Sequence, residues 1–301
     1  MYQSAVDHCP SPGFDDRPRL LLTGFESRNL DPNPSGVVVD AMSKLSFWPD
    51  GVSTAEPGSF DKSSDSSNLS SSDSWARIVP RSLVVDGIDF NACLIVLPIA
   101  WDLAAAIVVN EMKSFVPDVV LLTGVGSNNE LRIESFARNE VQEVLPDGTG
   151  IHGAGKVLPF PPGLCTEIPF RWSAPDLTSN VRTIGKSLAC AAGTPCAWTG
   201  VSGSTGSSIC NNVAYAAAVA LTGIEICLAS PIADLQPASC DTAEIRIKLN
   251  HPLPATVVGF VHVPFGLQVE TPQNVEMLAR VLARVAVLVT EKGPISVSCQ
   301  P

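Results

Sequence analysis

The chain has 301 residues, 16% of them charged and 45% hydrophobic, with a net charge of −11 and a mean hydropathy of +0.23. That length and apolar content support a substantial core and exclude a disordered chain. The acidic balance argues against nucleic acid or an anionic membrane surface as partner, leaving a small-molecule or short-peptide substrate and further copies of the chain itself.

The nine cysteines include no CxxC pair, and no histidine stands at zinc-ligand spacing, so no metal or other cofactor is expected. Their odd number, with a polar start from Met1 to Pro10 that lacks an apolar signal core, predicts free thiols in a reducing, cytoplasmic compartment. The apolar run 92–109 is broken by Pro98 and Asp102, and 213–232 by Gly223 and Glu225. Each reads as a strand joined to a helix rather than a membrane span.

In chain order, residues 1–18 read as a flexible leader carrying Pro10, Pro12, Gly13 and three acids. Arg19–Gly24 predicts a buried strand that ends at a glycine turn, and Asp31-Pro-Asn-Pro-Ser-Gly36 starts a helix running to Leu45. Ten of the 22 residues from Ser53 to Ser74 are serine, so 52–75 reads as a surface insertion. A strand (Asn91–Pro98), a helix (Trp101–Phe115) and a strand (Asp118–Gly124) follow. After a Pro- and Gly-rich middle come a helix (Pro175–Cys190), a strand (Cys196–Val201), a helix (Asn211–Leu221) and strands at Ile224–Ser230 and Thr256–Val263. A last helix, Gln273–Thr290, carries one apolar stripe through Leu278, Val281, Leu282, Val285, Leu288 and Val289. This alternation predicts an α/β sheet with helices on both faces. No repeat or composition break divides 19–295, which reads as one domain.

In such sheets chemistry collects beyond the carboxyl ends of the strands. Cys210 follows a Gly/Ser-rich turn and stands at the start of an apolar helix, where free N–H groups and the helix dipole favour negative charge. A nucleophilic thiol needs that environment, although the position also suits a buried packing cysteine. A thiol also needs an imidazole to take its proton and a carboxylate to orient that imidazole. His8 lies in the leader and His251 in a Pro-flanked turn, leaving His152 in a Gly-rich loop and His262 at the end of an apolar strand. Glu134 follows the strand ending near Thr123 and supplies a carboxylate.

Four ordered motifs then bear a resemblance. Gly259-Phe-Val-His-Val-Pro264 resembles the GF(I/V)H(V/I)P motif of the pyroglutamyl peptidase I family (C15), and Ser208-Ile-Cys-Asn211 its FVCN. Leu22-Thr-Gly-Phe25 with Asn33-Pro-Ser35 is similar to LTGF…NPS, and Glu134-x-x-Ala-x-Asn139 with Leu145-Pro-Asp147 to ERxAxN and IPD. The resemblance covers about 19–290. It implies a three-layer α/β/α sandwich with a mostly parallel twisted sheet, Cys210 as nucleophile, His262 as general base and acid, and Glu134 as its carboxylate partner. It also implies cleavage of an amide or acyl bond of a pyroglutamyl-like substrate.

The departures fall in the family's ring pocket. Phe25 is kept, but Arg28 and Ser208 stand where the family has two further aromatics, and Val125 where it has a glutamine. Leu145 and Ile209 keep apolar positions of their motifs, while the family's oxyanion arginine falls at Val144. Two other uses of the scaffold fit these losses: a thiol-dependent cyclase or acyltransferase acting on a small molecule, and a binding protein that has lost catalysis.

Overall fold

The computed structural model describes residues 8–11, 15–27, 33–43, 76–126, 131–141, 155–158, 161–181, 203–228, 239–243, 245–264 and 272–296. The Ser-rich insertion, the expected strand Cys196–Val201, and Arg28, Leu145 and His152 lie outside them.

β1 (Arg19–Phe25), α1 (Pro34–Ser43), β2 (Arg77–Val85), β3 (Ile88–Leu97), α2 (Leu103–Phe115) and β4 (Val119–Val125) build the first half of the sheet. β5 (Arg132–Ile133), β6 (Phe136–Arg138), β7 (Glu167–Pro169) and α3 (174–181 among the described residues) follow. The chain continues through α4 (Ile209–Ala220), β8 (Ile226–Leu228), β9 (Ile245–Ile247), β10 (Val257–Val263) and α5 (Pro272–Lys292).

The main sheet has the order β2-β3-β1-β4-β10-β5. The four inner strands β3, β1, β4 and β10 are parallel, and both edge strands run antiparallel to their neighbours. Leu20–Leu22, Val119–Leu122 and Val257–Val263 are buried without alternation, as strands covered on both faces must be. α1 packs with α5, and α2 with α4, giving helical layers on the two faces of an α/β/α sandwich. β8 is shorter than the expected strand Ile224–Ser230 and pairs with β9 outside this sheet.

From β1 the chain turns to β3 on one side, whereas β4 leads to β10 on the other. The crevice between the carboxyl ends of β1 and β4 is therefore the switch point at which such sheets bind ligands. The first turn of α1 closes one wall of it. Asn33 Oδ1 accepts the Ser35 N–H at 3.1 Å, and Ser35 Oγ accepts the Phe25 N–H at 3.0 Å. The LTGF…NPS pattern is thus a helix cap tied to a strand end.

The expectation of free thiols is overturned for most cysteines described. Cys9 is bonded to Cys93, Cys227 to Cys240, and Cys165 is also in a disulfide; Cys210 is the free cysteine among the described residues. The described cysteines are therefore not a wholly reduced set, and the free-thiol premise for a reducing compartment falls. Within the expected leader, Cys9 is buried, and its N–H donates at 2.9 Å to the buried Glu111 carboxylate, which also meets His8 Nδ1 at 2.7 Å. Among the described residues no helix is long and apolar enough to cross a membrane.

Candidate active site

Cys210, His262 and Glu134 converge at the carboxyl end of the sheet although they come from α4, β10 and the residue after β5. Glu134 is held by its backbone first. Its N–H donates to Phe260 O at 2.9 Å, and its own carbonyl accepts Trp172 Nε1 at 2.7 Å. Trp172 can come so close only because residue 259 is glycine: a Cβ there would stand 2.3 Å from the indole.

The Glu134 side chain, 2% exposed, sends Oε1 to His262 Nδ1 at 2.8 Å and accepts the Gly203 N–H on Oε2 at 3.1 Å. The Nδ1 hydrogen bond fixes the ring and leaves Nε2 for Cys210. Burial pulls the His262 ring below its ordinary value of 6.5, but hydrogen bonds to Cys210 and Glu134, with their charges, outweigh it and hold it at about 9.

Cys210 is buried in the first turn of α4. Asn212 makes the first i→i−4 bond of the helix, to Ser208 O at 3.1 Å, so the N–H groups of Ile209 and Cys210 have no intrahelical acceptor. The sulfur lies over Gly124, where a Cβ would stand 2.6 Å from Sγ and 3.5 Å from the Phe25 ring. Gly126 is also close to His262, with a notional Cβ at 3.1 Å from His262 Cβ and 3.5 Å from the ring's Cγ.

Phe25, a sequence-predicted pocket residue, thus shares the glycine floor with the sulfur. Val125 ends β4 in register with Val263, and Ile209 packs half-buried on the core. Ser208 is exposed and caps α4 without a side-chain bond.

Asn211 is the residue that sequence reasoning named only as part of a motif. It is fully buried and its amide is saturated: Oδ1 accepts Arg138 N–H at 2.8 Å and Thr205 Oγ1 at 2.7 Å, while Nδ2 donates to Arg138 O and Glu140 O, both at 2.8 Å. One side chain therefore ties the turn before Cys210 to the strand after Glu134. Asn139 does the same for 155–158, exchanging two bonds with the backbone of Leu158. Among the described residues one grouping, Glu225 with Cys227 and Cys240, is tight enough for a metal ion, but both sulfurs are in a disulfide and Glu225 pairs with Arg246 at 3.0 Å.

Pyroglutamyl peptidase I of Bacillus amyloliquefaciens is similar to this structure at a TM-score of 0.51 and 16% identity, over 90% of this chain and 98% of that one. The fold is that of pyroglutamyl peptidase I. A mutant pyrrolidone carboxyl peptidase from the hyperthermophile Pyrococcus furiosus is similar at a TM-score of 0.51 and 16% identity, over 91% and 98% of the two chains. At such identity the shared feature is the fold itself. By sequence, neither family models nor curated proteins give a match.

Proposed function

We propose that the chain is a divergent member of the pyroglutamyl peptidase I family and a cysteine hydrolase, with Cys210 as nucleophile, His262 as acid and base, and Glu134 as its orienting partner. One observation carries the reading: a single buried imidazole is held by Glu134 at Nδ1, 2.8 Å away, and interacts with Cys210, which helps keep it in its charged form. In this reading the Cys210 sulfur attacks the acyl carbonyl. The oxygen charge that develops meets the N–H groups of Ile209 and Cys210 and the positive end of α4. His262 protonates the departing nitrogen, and water then releases the acyl group through the same imidazole.

The acyl pocket differs from that implied by the family motifs. With Ser208, Val125 and Arg28 at three of its positions, it suits an acyl group bulkier or more polar than pyroglutamate. Turnover of a pyroglutamyl-aminocoumarin reporter tests both levels. Release of fluorophore that disappears in Cys210→Ala supports the hydrolase, and kcat/KM below roughly 10⁴ M⁻¹s⁻¹, the lower end of the usual enzyme range, supports the altered pocket. Undiminished release by Cys210→Ala would overturn the assignment.

A further inference from the structure

Three neighbouring strands place Gly124, His262 and Arg132 in one row at the carboxyl end of the sheet: His262 is in register with Gly124 on β4 and with Arg132 on β5. Residues opposite one another in a sheet share a face, so the Arg132 side chain rises beside the imidazole. Glu134, two residues along, is on the same face. The sulfur lies over the Gly124 end of this row and Arg132 forms its other end.

Arg132 is half-buried, and its shielded Nε has no hydrogen-bond partner. Among the described residues no carboxylate pairs with its guanidinium. A partly desolvated cation without an acid costs folding free energy, and an anionic ligand would remove that cost.

We propose that Arg132 recognises a carboxylate on the leaving group, so that the preferred substrates are N-acyl amino acids and dipeptides with a free carboxyl end. This rests on the hydrolase reading above. The imidazole must reach the departing nitrogen, which places the leaving group on the His262 side of the sulfur, toward Arg132. In an α-amino acid the carboxylate stands one carbon from that nitrogen, within the fork of a neighbouring guanidinium. The Sγ–C bond forms as the C–N bond breaks, and the imidazolium proton goes to the amino acid's nitrogen. Water then adds to the thioester carbon, the S–C bond breaks, and the acid and the thiol are restored.

Two measurements test this. The first compares alkylation of Cys210 by iodoacetate and by iodoacetamide, which requires no substrate. Arg132→Gln is expected to lower the iodoacetate-to-iodoacetamide rate ratio about tenfold, and Arg132→Lys to restore most of it. A ratio unchanged in Arg132→Gln overturns the proposal. The second compares pyroglutamyl-alanine with its carboxamide on the wild-type protein. The free acid is expected to be cleaved with kcat/KM about ten- to a hundredfold higher, mostly through KM. Equal rates, or preference for the amide, overturn it. If neither peptide is cleaved while the alkylation ratio still responds to Arg132, pyroglutamate is not the acyl group and the anion site stands.

Discussion

The Glu134 and His262 side chains meet 2.8 Å apart, only 2% and 11% exposed, although 128 residues separate them in sequence. Replacing Glu134 by glutamine keeps the shape but removes the charge and leaves the ring's tautomer unguided. Glu134→Gln is expected to lower kcat at least about a hundredfold with little change in KM. Steady-state kinetics on any cleaved substrate provides the check; a kcat within twofold of wild type would remove Glu134 from the site.

The His262 ring is held at about 9 because Cys210 and Glu134 favour its charged form over burial. A folded-state value raised above 6.5 stabilises the fold fully below 6.5, and the contribution is lost as pH rises through about 9. Activity is expected to fall along the same basic limb, since the leaving group then loses its proton donor. Titration of the ring by NMR should show a lower midpoint in Cys210→Ala, where one raising partner is gone. An unmoved midpoint would contradict the pairing.

Gly124 forms the floor beneath the sulfur. In Gly124→Ala the new methyl would stand 2.6 Å from Cys210 Sγ and 2.9 Å from Phe260 Cζ. The sulfur and ring must give way, at a cost of about 1–3 kcal/mol to stability. Alkylation of Cys210 and turnover should both drop by more than the stability loss explains. Denaturant unfolding beside alkylation kinetics separates the two effects.

Asn211 satisfies four polar groups with one amide. Asn211→Ala would leave them without partners in a buried turn and is expected to cost roughly 2–4 kcal/mol. Because the amide joins the Cys210 turn to the Glu134 strand, reactivity of Cys210 should fall even at temperatures where the variant is fully folded. Urea unfolding combined with iodoacetamide labelling reads both.

The Cys9–Cys93 disulfide closes a loop of 84 residues, far from Cys210 in sequence. Cys93→Ala is expected to lower stability by roughly 2–5 kcal/mol. Peptide mapping under non-reducing conditions should recover the linked peptides. Their absence from the native protein would overturn the pairing.

The sequence by itself determined most of the inner sheet. β1, β3, β4 and β10 appear as continuous apolar runs because both of their faces are covered, and α5 as a stripe because one of its faces is. It also named Glu134, Cys210 and His262 by their motifs, since the helix-start thiol and the strand-end imidazole leave local marks. β2 was not legible: it is an edge strand interrupted by Pro80 and carries exposed Arg77 and Arg81, so its pattern is broken. β5 is two residues long, too short for any period, yet its register brings Arg132 beside His262 and Glu134 onto Nδ1. The disulfide pairs were equally hidden, because spacing along a chain does not say which sulfurs meet. Local patterning records whether a residue is buried. Partnership across strands is set by register and by long-range closure, which the tertiary structure alone decides.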